Sequence, residues 1–265
     1  MDLGLKDRVY VVTGATRGLG NAVARELLAD GAKVVVSGRD AGRVEEAARE
    51  LGGDTGSDAA GSDAVGSGVV GVAVDNADPE APGRLIGAAR EAFGGFDGIL
   101  VSVGGPPPGF VADNTDAQWE AAFESVFLGA VRLARAAAAE LEEGGVIGFV
   151  LSGSVHEPIP GLTISNGLRP GLAGFAKSLS DELGPRGIRV VGLLPARIDT
   201  DRVRELDGMS ADPEATRVAN EARIPLRRYG RPEEFGRTGA FLLSPAASYL
   251  TGIMVPVDGG MRHGF

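Results

Sequence analysis

The sequence predicts an α/β fold, a doubly wound parallel sheet with helices on both faces in three layers, and three observations carry that prediction. Short apolar runs rich in β-branched residues recur along the chain at 8–13 (RVYVVT), 32–37, 69–74, 98–103, 146–151, 188–194 and 253–257. They are continuous rather than alternating, which marks strands buried on both faces. Between them lie segments with apolar residues at helical spacing, and strand–helix alternation makes the crossovers parallel. The first unit closes on residues 11–21, VVTGATRGLGN, where an apolar strand meets a glycine turn and then a helix.

That first unit is the element most informative about chemistry. The first N–H groups of a helix have no internal partner and sit at the positive end of its dipole, so a phosphate docks there if no side chain blocks the approach. Gly14, Gly18 and Gly20 keep the approach open, with Thr16, Arg17 and Leu19 between them. The spacing is GxxxGxG, because Thr16 stands where the second glycine of GxGxxG would be. A tight turn that only packs helix on strand is the other reading.

The second strand, 32–37 (AKVVVS), ends in Gly38 and Arg39. In dinucleotide folds an acidic residue near this point holds the ribose 2′-OH of NAD, and an arginine accommodates the 2′-phosphate of NADP. Arg39, with Arg17 in the glycine turn, favours NADP(H). The next segment, 41–51, reads as an amphipathic helix. It runs into 52–68, GGDTGSDAAGSDAVGSG, whose composition buries too little apolar surface to offset ordering and predicts a flexible insertion.

Strand 69–74 then leads to Asp75 and Asn76, 79–93 to a helix, and 98–103 to a further buried strand. Residues 102–110 (SVGGPPPGF) form a rigid loop at that strand's carboxyl end, where open α/β sheets place ligands. A long alanine-rich helix is expected over 117–141, a strand over 146–151, the loop SGSVHEP, a helix over 165–183, a strand over 188–194 ending at Pro195, and a last strand over 253–257.

Composition narrows the function further. With 265 residues, one domain over 1–265 is expected, and the absence of cysteine rules out thiolate catalysis and cysteine-held zinc. His156 and His263 are the only histidines, so no metal site is expected. The opening MDLGLKDR has no basic segment followed by an apolar one, which predicts a cytoplasmic protein without a membrane span. A formal net charge of −10 disfavours nucleic acid and anionic lipid as partners.

Together the segments TGATRGLG, SGRD, VDN, LSGS, GLAGFAKSLSDELGPRGIRV, LLPARIDT and TGIMVPVDGG resemble the short-chain dehydrogenase/reductase family, in particular its ketoacyl-carrier-protein-reductase-like branch. The resemblance covers nearly the whole chain. It implies a Rossmann-type sheet and an NAD(P)-dependent oxidoreductase, with cofactor contacts from Asp75, Asn76, Ser102, Gly104, Arg169, Pro195, Ile198 and Thr200 added to those of the glycine turn. It also implies a homotetramer or homodimer built through 117–141 and 253–257. The stretch at about 200–222, polar, helical in part and following Thr200, is expected to form a mobile substrate lid.

The family's catalytic set is a tyrosine that exchanges a proton with the substrate oxygen, a lysine that lowers its pKa, a serine that positions the substrate, and an asparagine. Ser152 falls in the serine slot, with Ser154 as an alternative. Ser165 occupies the tyrosine slot, Arg169 the lysine slot, and Val126 the asparagine slot. The chain's three tyrosines, Tyr10, Tyr229 and Tyr249, all lie elsewhere. Ser165 and Arg169 are four apart on the predicted helix and so share a face. A serine does not ionise as a phenol does, and arginine stays charged, so His156 is the one titratable candidate near the site.

Three readings follow. One is an NADP(H)-dependent oxidoreductase acting on a small-molecule carbonyl or alcohol with a non-standard proton donor. The others are a nucleotide-binding sensor or partner subunit without redox activity, and a lyase or isomerase reusing the site.

Overall fold

The four residues of β1 (Val9–Val12) are all buried, as are those of β4 (Gly98–Val101) and β5 (Val146–Val150), so the centre of the sheet is apolar on both faces. The computed structural model describes residues 1–53 and 68–263. The predicted insertion at 52–68 lies almost wholly outside the described residues; only its ends, Gly52, Gly53 and Gly68, are within them. Seven parallel strands form one sheet in the order β3-β2-β1-β4-β5-β6-β7, with β2 Lys33–Gly38, β3 Val69–Ala73, β6 Arg189–Pro195 and β7 Ile253–Val257. The doubly wound prediction holds.

Side chains alternate between two cores because successive residues of a strand point to opposite faces. Val9, Val11, Ile99, Val101, Ile147 and Phe149 pack on one face, with α3 (Ala81–Phe93), α5 (Gly129–Glu140) and α6 (Thr163–Leu183). Tyr10, Val12, Val34, Val36 and Leu100 pack on the other, with α1 (Gly18–Ala29) and α9 (Pro232–Leu243).

The chain runs outward from β1 through β2 to β3, then returns to place β4 on the other side of β1. This reversal opens a crevice above the carboxyl ends of β1 and β4. The crevice floor is tied across by Thr13, whose hydroxyl donates to the Ser102 carbonyl at 2.8 Å and accepts from the Ser102 N–H at 2.9 Å.

One element differs from the sequence expectation. Residues 117–141 do not form a single regular helix: α4 (Asp116–Ala122) passes through a π-helical stretch, Phe123–Leu128, before α5. Gly129 lies so close to the Asn76 carbonyl that a side chain there would collide with it. The looser winding fits this approach, and Phe123 stacks on Phe127 along it, ring centroids 5.4 Å apart.

Candidate active site

The glycine turn is shaped by its backbone. Gly14 has φ of +57°, and a Cβ there would stand 2.5 Å from the Ser102 carbonyl oxygen, so only glycine closes the turn against β4. Gly18 has φ of +64° with nothing within 4 Å of its missing side chain, and Gly20 lies against the Gly14 carbonyl. Arg17, at the N-cap of α1, makes no side-chain capping bond. No cap side chain occupies the first N–H groups of the helix, and the space beside Gly18 is open, which fits a pyrophosphate.

Beside the turn, Thr16 and Arg17 line a cleft with Arg43, Glu46, Ala47 and Glu50 of α2 (Ala41–Gly52). Arg43 was not singled out from the sequence, although its position four residues after Arg39 in the first turn of α2 is a readable signal. Arg39 is exposed, and among the described residues its guanidinium has no bonded partner. Asp40 is occupied as the N-cap of α2, its carboxylate accepting from the Arg43 N–H at 2.9 Å. Arg17 reaches Asp201 at 3.4 Å and Glu205 at 3.9 Å.

Asp75 and Asn76 follow β3. The Asp75 carboxylate accepts from the Ala77 N–H at 3.0 Å, and the Asn76 amide donates to the Thr13 hydroxyl at 3.4 Å. Ser102 is buried and Gly104 faces open space. Pro195 ends β6, Ile198 bridges to Gly230, and Thr200 stands at the N-cap position of α7 (Asp201–Gly208), its hydroxyl donating to the Ile198 carbonyl at 3.4 Å rather than capping the helix.

At the other side of the crevice, Ser152 does not point at Ser165. Its hydroxyl accepts from the Ser154 N–H at 3.1 Å and caps a 3-10 turn, Gly153–Val155. That turn swings Ser154 inward, and the Ser154 and Ser165 hydroxyls lie 3.4 Å apart, both buried. Ser154, not Ser152, is thus the serine whose hydroxyl meets Ser165.

Arg169 is 3% exposed, and its Nη1 donates to the Val150 carbonyl at 2.6 Å and its Nη2 to the Val103 carbonyl at 3.3 Å. Its Nε has no partner, and no carboxylate among the described residues pairs with it. Burial draws its pKa down to about 10, so it remains charged at neutral pH.

His156 is exposed on the far side of the 3-10 turn. Desolvation first, and the charge of Arg262 second, hold its pKa below the ordinary value. Arg262, from the tail after β7, is thus within electrostatic reach of His156, and its Nη1 is buried without a partner. No sequence signal marked it.

The predicted lid is two helices, α7 and α8 (Pro213–Arg223). Their base is anchored by buried Asp207, which accepts from Tyr229 Oη at 2.8 Å and from Arg197 Nη1 at 2.8 Å. Arg202 reaches across to the Pro106 carbonyl at 2.8 Å, joining α7 to the loop after β4. Among the described residues there is no cluster of three metal-ligating side chains, and no helix is long and apolar enough to cross a membrane.

A parallel sheet with a topological reversal, a free helix N-terminus beside it and polar side chains over the adjoining strand ends define a Rossmann-type doubly wound protein. Residues 14–262 match the family model described as enoyl-(acyl carrier protein) reductase. The human dehydrogenase/reductase SDR family member 4 is 35% identical over 97% of this chain and 88% of its own length. L-rhamnose 1-dehydrogenase (NAD(P)(+)) of Azotobacter vinelandii is 33% identical over 97% of each chain. The crystal structure of L-sorbose reductase from Gluconobacter frateurii, complexed with NADPH and L-sorbose, superposes with a TM-score of 0.86 over the whole of both chains at 30% identity. The chain belongs to the short-chain dehydrogenase/reductase family, an oxidoreductase family.

Proposed function

We propose that the chain is an NADP(H)-dependent oxidoreductase that interconverts a carbonyl and an alcohol of a small cytoplasmic molecule, through a site with Ser165 and Arg169 in place of tyrosine and lysine. The end of β2 carries the cofactor preference. There Asp40 is used as a helix cap while Arg39, Arg17 and Arg43 present cations, an arrangement suited to a ribose 2′-phosphate rather than to the 2′-hydroxyl of NAD. The NADPH in the L-sorbose reductase structure supports the reading.

Gly14, Thr16, Gly18, Leu19 and Gly20 would hold the pyrophosphate on the α1 N-terminus. Asp75, Asn76, Ser102, Gly104, Pro195, Ile198 and Thr200, which follow the carboxyl ends of β3, β4 and β6, would hold the remainder. Bound there, the cofactor supplies or takes the hydride. Ser154 and Ser165 orient the substrate oxygen by hydrogen bonds, and Arg169 places a fixed positive charge beneath them.

Calorimetric titration with NADPH, NADP, NADH and NAD tests the reading first, followed by NADPH oxidation against a carbonyl panel. Tight NADPH binding with weak NADH binding is expected. Binding of none of the four would overturn the redox reading in favour of another ligand.

We also propose a homodimer or homotetramer through β7 and the α4–α5 face. None of the five residues of β7, IMVPV, is buried, an apolar edge that a second copy would cover. Sedimentation of the wild type against Ile253→Lys checks it, with a shift to monomer expected for the variant.

A further inference from the structure

Arg17 belongs to two places at once. It stands in the glycine turn and lines the cleft beside Thr16 and Arg43 where a cofactor phosphate would sit. Its Nη1 is engaged by the lid, 3.4 Å from the Asp201 carboxylate and 3.9 Å from that of Glu205, one turn further along α7. Both contacts are loose. Charge-assisted N–H···O bonds settle at about 2.7–2.9 Å, and here one nitrogen is shared between two carboxylates at longer range, all three side chains being about half exposed. A phosphate brings more charge and more acceptor oxygens than either carboxylate, and the space beside Gly18 is open to it.

The charge balance at the start of α7 depends on that guanidinium. Asp201 also pairs with Arg204 at 3.1 Å, Glu205 with Arg202 at 3.7 Å, and Asp199 with Arg204 at 2.9 Å. Three carboxylates thus face three arginines, of which Arg17 alone comes from outside the stretch 199–205; Arg217, which also reaches Asp199, is matched by Glu221. A phosphate at the glycine turn makes the anions outnumber the cations, whether Arg17 swings to it or is shared. The same turn of α7 reaches the other side of the crevice through Arg202 and the Pro106 carbonyl, so loosening it loosens both contacts.

We propose that Asp201 and Glu205 determine how tightly the glycine turn takes a phosphate: they occupy Arg17 as internal anions, compete with the phosphate for it, and release α7 when the phosphate wins. The proposal rests on the cofactor reading above.

The latch is tested first without cofactor, by trypsin, whose cleavage after the arginines within 200–222 requires local opening of the lid helices. Asp201→Asn combined with Glu205→Gln should speed that cleavage at least about threefold, the scale of losing exposed ion pairs. Arg17→Gln, which leaves α7 itself untouched, should do the same, and the two acidic substitutions should then add nothing to it. Inorganic pyrophosphate, at ionic strength matched with KCl, should speed cleavage of the wild type and leave Arg17→Gln unaffected. Unchanged cleavage in the variants, additive effects of the substitutions, or a wild type that pyrophosphate protects or leaves unchanged overturns the proposal.

Calorimetry then reads the competition. The protein with both acidic substitutions should bind NADPH at least about threefold more tightly than wild type. An equal gain for NADH assigns the competition to the pyrophosphate, and a gain confined to NADPH assigns it to the 2′-phosphate. NADPH bound equally well or more weakly by the variant keeps the cofactor reading and overturns the competition. Cleavage driven by pyrophosphate, with none of the four nicotinamide nucleotides bound, keeps the competition for phosphate and overturns the cofactor reading.

Discussion

Two arginines lie buried at opposite ends of the sheet, Arg189 at the amino end of β6 and Arg169 beneath the carboxyl ends of β4 and β5. Arg189 is 7% exposed and spends its guanidinium on three carbonyls, those of Leu242 at 2.8 Å, Ser244 at 2.9 Å and Leu250 at 3.3 Å. Leu242 and Ser244 belong to the last turn and C-cap of α9, where the negative end of the helix dipole welcomes a cation. Arg169 has two carbonyls, an orphaned Nε and no helix C-terminus. The difference separates a charge that completes the fold from one that the fold tolerates, since an uncompensated buried charge is a cost.

The largest effect expected from this comparison is on stability. Arg189→Met strands three carbonyls and should cost about 3 kcal/mol or more. Arg169→Met loses two hydrogen bonds but also removes a buried cation, so its net effect should stay within about 1 kcal/mol. Denaturant midpoints of the two variants decide it; equal losses would erase the distinction.

The pH dependence sharpens the same point. Burial draws the folded-state pKa of Arg169 down to about 10, well below the ordinary arginine range, so below about pH 10 the charged group costs the folded state its full desolvation penalty. As pH rises from there towards the unfolded value, the folded state gives up its proton first and the penalty fades. Wild type should therefore gain stability relative to Arg169→Met as the pH rises above about 10, and not below it. A constant difference over that range would mean that the cation is compensated after all.

On activity the order reverses. Arg169→Gln should lower kcat/KM by about a hundredfold, the scale of losing one preorganised charge-stabilising donor, while Arg189→Lys should leave kcat/KM of the folded enzyme within a few-fold. Arg39 extends the criterion to the surface, because its donors are unspent among the described residues whereas Arg17 is shared with Asp201 and Glu205. Arg39→Ala should weaken NADPH about tenfold with NADH unchanged, and Arg17→Ala should weaken it less.

How much of this was legible in the sequence depends on the range of the interactions. The strands and the glycine turn are written in local patterns, because continuous β-branched runs and helical spacing reflect burial that any register of this fold requires, whereas the placing of β4 beside β1 is a tertiary fact. The shared face of Ser165 and Arg169 is likewise a matter of helical period. The choice of Ser154 over Ser152 is not, since it depends on a three-residue 3-10 turn whose cap is Ser152 itself. The π-helical stretch after α4 was hidden because both windings present similar apolar residues over so few positions. Arg262 comes from the other end of the chain, and that Arg169 bonds main-chain carbonyls rather than a carboxylate is a tertiary fact with no residue pattern behind it.

His156 provides the smallest expected effect and the finest test of which groups belong to the site. From the sequence it was the titratable group best placed to give a proton. It lies on the exposed side of the turn that carries Ser154, and its pKa is held below the ordinary 6.5 by desolvation and then by Arg262. A base with a depressed folded-state pKa is neutral at pH 7, and it opposes folding only as the pH falls through 6.5 towards that lower value, where the unfolded chain takes the proton first. His156→Ala should therefore leave kcat and its neutral-to-alkaline profile within about twofold while slightly improving stability in mild acid. Loss of an acidic limb from the kcat profile of His156→Ala would instead make the imidazole the proton donor that Ser154, Ser165 and Arg169 do not supply.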